Sequence, residues 1–112
     1  MTIDIKKILR ETFDDSESFK DFANTREGGA EKIANTAKEK GGYSLLTWHH
    51  FKVKLPYYKK ASEGKFDIDK AKKEFKETYD KIGFDMSQTD FQREVGRLEV
   101  LGELIIKHNT NK

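Results

Sequence analysis

Between Phe66 and His108 the apolar residues recur every three or four positions, and this period constrains the fold more than any other feature of the chain. In FDIDKAKKEFKETYDKIGF, residues 66–84, Ile68, Ala71, Phe75, Tyr79 and Ile82 fall on one helical stripe. Asp67 stands where an N-cap belongs, and Phe66 and Ala71 have the spacing of a hydrophobic staple. Gly83 is expected to end this helix. In FDMSQTDFQREVGRLEVLGELIIKHN, residues 84–109, Ser87 is the expected N-cap and Met86 and Phe91 the staple. Phe91, Val95, Leu98, Leu101, Ile105 and Ile106 share one side, and Gly102 lies among them where a neighbour can approach closely. Gly96 falls at the edge of that face with no local reason for it.

The rest of the chain reads the same way. Residues 3–13 form a helix capped by Thr2, with Ile5, Ile8, Leu9 and Phe13 on one face. Asp15 or Ser16 caps a short helix carrying Phe19, Phe22 and Ala23. A further helix begins at Thr25, or near residue 29 if Gly28 and Gly29 weaken its first turn, and buries Ala30, Ile33, Ala34 and Ala37. Gly41 and Gly42 end it, one of them in the left-handed conformation. Charged residues make up 38% of the chain, with a single proline, and this composition favours helices over sheets. The expectation is an all-α single domain over 1–112, built of five or six short helices.

Residues 41–60, GGYSLLTWHHFKVKLPYYKK, are unusual: five aromatics, two adjacent histidines, four lysines and no acid. On a helical wheel Leu45, Trp48, Phe51, Leu55 and Tyr58 make one stripe, and Leu46, His50, Val53 and Tyr57 the opposite one. A helix with two apolar faces sits between neighbours, so residues 44–63 are expected to be the central helix. Its N-cap is Ser44 or Thr47, and it is kinked or broken near Pro56, which lacks an amide hydrogen.

Function is read by elimination. Without cysteine there is no disulfide scaffold, thiolate metal site or cysteine nucleophile. His49 and His50 point about 100° apart on a helix and lack partners at the three- and four-residue spacings of a helical metal site, so no metal is expected. His50 reads as a partly buried histidine with one satisfied nitrogen, His49 as a surface or groove residue. No catalytic or phosphate-binding motif is present and neither catalytic residues nor cofactors are assigned, so a small-molecule enzyme is the third reading, behind a protein binder and a nucleic-acid module. No run suits a membrane span or a signal peptide, so a cytoplasmic protein is the expectation.

A helical domain of this kind acts by contact. The expected working surface is Lys52, Lys54, Lys59, Lys60 and His49, facing a protein partner or nucleic acid. The lysine run extends through Lys65 to Lys76, where interleaved acids give it the look of a solvated helix face. Val100 and Leu104 point away from the main stripe of the last helix. They are the candidate protein interface, for self-association or another chain, unless a second neighbour within the domain covers them.

Gly41-Gly42, Leu45-Leu46-Thr47, His50-Phe51, Lys54 and Pro56-x-Tyr58 together resemble a small domain of bacterial and phage proteins, cyanophages among them. The resemblance covers residues 29–64. It implies a phage or bacterial origin, with the host cytoplasm as the location if phage-encoded, and carries no activity, cofactor or substrate.

Overall fold

The computed structural model describes residues 17–83 and 85–110, and all regular structure among them is helical. The helices are α1 (Phe19–Lys40), α2 (Ser44–Lys52), α3 (Leu55–Ser62), α4 (Ile68–Lys81) and α5 (Gln88–Thr110). With α2 and α3 taken as one interrupted helix, the count is four. The helix expected over 3–13 lies outside the described residues. None of the described helices is long and apolar enough to cross a membrane.

Local signals decide most of the helix ends. Ser18, rather than Asp15 or Ser16, stands as the cap of α1: its hydroxyl accepts from the Asp21 amide at 3.1 Å. Gly41 and Gly42, at φ 66° and 57°, turn the chain out of α1 in the left-handed region. Asp67 accepts from the Asp69 and Lys70 amides to start α4, and the Ser87 hydroxyl accepts from the Asp90 amide to start α5. The residue before α2 is Tyr43, which makes no side-chain capping bond, so neither Ser44 nor Thr47 caps that helix.

Two expected helices, 16–23 and 25–40, are one. α1 runs through Gly28 and Gly29 without interruption. Two glycines cost it about 1–2 kcal/mol relative to alanine, which the burial of Phe22, Ala23, Ala30, Ala34 and Ala37 along one face outweighs. Ile33, expected on that face, is 44% exposed.

The break between α2 and α3 comes from Pro56. It has no amide hydrogen for the Lys52 carbonyl four residues back. The Lys54 amide instead takes a tighter bond to the Phe51 carbonyl, 3.2 Å, and α3 restarts with proline in its first turn. Val53 and Lys54 keep near-helical dihedrals, so the hydrogen-bond ladder is interrupted while the backbone conformation stays close to helical.

The central helix is α5, not residues 44–63. Every residue from Val100 to Lys107 is buried, whereas α2 buries none of its residues fully and leaves Leu45 exposed. One side of α5 presents Val100 and Leu104 to Phe22, Ala23 and Ala30 of α1 and Tyr58 and Ala61 of α3. The other presents Leu98, Leu101 and Ile105 to Ala71 and Phe75 of α4. The expected interface at Val100 and Leu104 is therefore interior: both are wholly inaccessible, covered by the chain's own α1 and α3. On α4, Tyr79 is exposed and Thr78 is buried in its place, because the buried face follows α5 rather than an ideal stripe.

Candidate functional site

Two features of the structure concentrate polar chemistry. The first is a ladder of side chains between the α2–α3 segment and α5. His50, Lys54 and Tyr58 recur at four-residue steps, as do Glu99, Glu103 and Lys107 on the facing helix. Glu99 Oε2 accepts from His50 Nε2 at 2.8 Å and from Lys54 Nζ at 3.0 Å. The Tyr58 hydroxyl donates to Glu103, whose residue is 1% exposed. His50 Nδ1 meets Gln92 Oε1 at 3.1 Å, and the glutamine amide can serve either protonation state of the ring by turning over.

Burial works to raise the Glu99 carboxyl, but the His50 hydrogen bond and the Lys54 charge outweigh it and hold it at about 2. Both ring nitrogens of His50 are thus engaged, where one was expected. Lys54, expected on the surface, is 4% exposed: its ammonium is drawn inward by Glu99 and lies 4.8 Å from the centre of the Phe51 ring. His50 has a carboxylate beside it, as a general base would, yet the arrangement holds two helices together and leaves no ring nitrogen uncommitted.

The second feature is an open groove of about 840 Å³ between α3 and α4, with α5 beneath. Its accessible apolar lining comes from Val53, Pro56, Tyr57 and Phe66, with Ala71, Leu101 and Leu104 buried beneath them. Lys60, Lys65, Lys70 and Lys73 stand on its edges, and none of them makes an ion pair among the described residues. Most of the acids along it are already engaged. Asp67 caps α4, and Glu74 accepts from the Tyr57 hydroxyl across the groove. Arg97 is held by Glu94 at 2.6 Å. Burial, reinforced by the Glu74 carboxylate, raises Tyr57 to about 12.

Of the expected surface residues, Lys60 lines this groove, Lys59 is exposed on α3, and Lys52 and His49 lie apart from it on α2. There the Lys52 ammonium sits 4.4 Å from the centre of the Trp48 ring, with Lys38 of α1 at 5.4 Å and the His49 ring at 4.7 Å. Burial, with Arg93 and Lys52 nearby, lowers His49 from its ordinary value. The basic-aromatic segment is thus divided. Its middle, at His50 and Lys54, turns inward, and the remainder serves two separate surfaces.

A shallower groove of about 350 Å³ between α1 and α2 is lined by Ile33, Thr36, Ser44 and Thr47 with Lys32 and Lys40. Among the described residues no group of three or more histidine, aspartate or glutamate side chains could hold a metal ion.

Sequence reasoning missed Glu99, Glu103 and Gln92 as partners of the segment. A signal was present: Glu99 and Glu103 are interleaved with Leu98, Val100, Leu101 and Leu104, where acids on two sides of an apolar helix call for buried partners. No protein-family model, curated protein or solved structure matches this chain.

Proposed function

We propose that this is a non-catalytic helical binding protein, an accessory factor of a phage or bacterial cytoplasm, whose working surface is the groove between α3 and α4. The observation that carries the reading is the disparity around that groove. Four lysines that make no ion pair among the described residues border an apolar lining, while Asp67 and Glu74 are engaged within the chain. Such a surface attracts an anionic macromolecule and offers it apolar area to bury.

The reading as a binder rather than an enzyme rests on the His50 cluster. The group best suited to proton transfer is used to dock α2 on α5, and His50 and Glu99 line neither groove.

The test is capture from cell extract with the wild type and with a Lys60→Glu, Lys70→Glu, Lys73→Glu variant. Loss of a saturable partner in the variant, with helical circular dichroism unchanged, is the expected result. Equal capture by both would remove the groove from the function.

A second reading, nucleic-acid binding, is favoured by one observation. Trp48 is half-buried, and the ammonium groups over its ring belong to the exposed side chains of Lys38 and Lys52, which can swing to phosphate and yield the ring face to a base. Under that reading, oligothymidylate quenches Trp48 fluorescence with an affinity that falls steeply with salt, and Lys52→Glu removes the effect.

A further inference from the structure

The geometry points to an acidic amphipathic helix of a partner protein as the occupant of the α3–α4 groove, an inference that rests on the groove being the working surface. Charge sets the sign of the partner. Lys60, Lys65, Lys70 and Lys73 make no ion pair among the described residues, and Glu77 is the one lining carboxylate without a described partner. Asp67 and Glu74 keep their charge while so engaged, and with Arg97 paired to Glu94 the four lysines face three lining carboxylates, so the groove is net positive by a small margin and favours an anionic occupant.

Shape sets its length. α4, which forms one wall, has 14 residues and is about 21 Å long, enough to lie beside about four turns of a partner helix. The apolar lining asks for side chains at every third or fourth position of that helix, with acids on either flank to meet the lysines.

The aromatics argue against a nucleic-acid strand in this groove. Stacking needs an open ring face, and Phe66 already packs on Phe19 at 5.0 Å and on His108 at 5.5 Å between centroids. Tyr57 is tethered by its hydroxyl to Glu74. The remaining guanidinium of the lining, that of Arg97, is taken by Glu94. A phosphate backbone would find the lysines but would leave the apolar lining unfilled.

The test uses the full chain, isotope-labelled, and three probes. One is a synthetic peptide as long as α4, with leucine at helical spacing and glutamate elsewhere. The second is the same composition shuffled to destroy the period. The third is oligothymidylate. The expected result is that the first peptide shifts the amides of Val53, Tyr57, Phe66 and Lys70, that the shuffled peptide binds at least about tenfold more weakly, and that Lys60→Glu, Lys70→Glu, Lys73→Glu weakens the first by at least about tenfold.

Equal binding of both peptides in the groove would overturn the helical partner and leave the groove reading standing. Oligothymidylate shifting the groove amides in place of the peptide would overturn the peptide chemistry and leave the groove reading standing. Shifts outside the groove, or none with any probe, would overturn this inference and the groove reading together.

Discussion

At Gly96 the backbone of α5 meets that of α2 closely, and replacing it with alanine tests the central packing directly. A Cβ built there would lie 2.2 Å from the His50 carbonyl oxygen and 2.8 Å from Val53 Cγ2. An ordinary carbon–oxygen contact is about 3.3 Å or more, so the helices must part by about 1 Å. The obstacle is main chain, which cannot swing aside as a side-chain tip would. Overpacking of this kind costs about 1–3 kcal/mol. Parting the helices also stretches the bonds from His50 to Gln92 and Glu99, for about 1 kcal/mol more. Against this, alanine in mid-helix is favoured over glycine by about 1 kcal/mol. The balance is a net destabilisation of about 1–3 kcal/mol, or a fall in Tm of about 4–12 °C for a domain this size.

Thermal and urea unfolding, followed by far-ultraviolet circular dichroism, measures it. Gly28→Ala and Gly29→Ala are the internal controls. Both sites lie inside α1 with nothing within 4 Å of an added Cβ, so each should stabilise by about 0.5–1 kcal/mol. A Gly96→Ala protein as stable as the wild type, or more so, would refute the close approach of α5 to α2.

The remaining predictions concern the polar ladder and the core. The Glu99 carboxyl is held below its ordinary value, so its contribution is full above about pH 4.5 and is lost as pH falls towards 2. Its side chain is 32% exposed, so solvent screening reduces that contribution to about 1–2 kcal/mol. Urea unfolding should show Glu99→Gln less stable than wild type by that amount at pH 6, with the gap closing near pH 2. Tyr57 is raised from 10 to about 12, so the stability linked to its neutral form is full below about pH 10 and is lost progressively as pH rises from 10 towards 12. Ultraviolet titration should find a late-ionising tyrosine component, and Tyr57→Phe should reduce it. Leu104→Ala should cost about 2–4 kcal/mol through the cavity it leaves. Sedimentation should find its oligomeric state unchanged, because the side chain lies wholly inside one molecule.

What could be read beforehand was whatever is decided over three or four residues. The caps at Asp67 and Ser87, the left-handed glycines after Lys40 and the restart of the helix around Pro56 are bonds or torsions within one turn, and the residues that make them are adjacent in sequence. The buried face of α4 at Ala71 and Phe75 follows from period alone. The candidate site was legible only in part. Lys60 and the later lysines announced a basic surface, but the apolar lining between them joins Val53, Pro56 and Tyr57 to Phe66 over side chains of α5 buried beneath, far along the chain.

Tertiary structure decided which of two amphipathic helices became the centre. Residues 44–58 and 98–106 both present apolar residues on two sides, and a pattern on one helix cannot say whether a neighbour stands opposite. Packing placed α1 and α3 over Val100 and Leu104 and left α2 half-covered. It also brought His50 and Lys54 to Glu99 across 49 and 45 positions, and set Gly96 against the His50 carbonyl. Local bonds specify a helix and its ends. The inward turn of Lys54 depends on a carboxylate more than forty residues away, and only the folded chain puts the two within reach of each other.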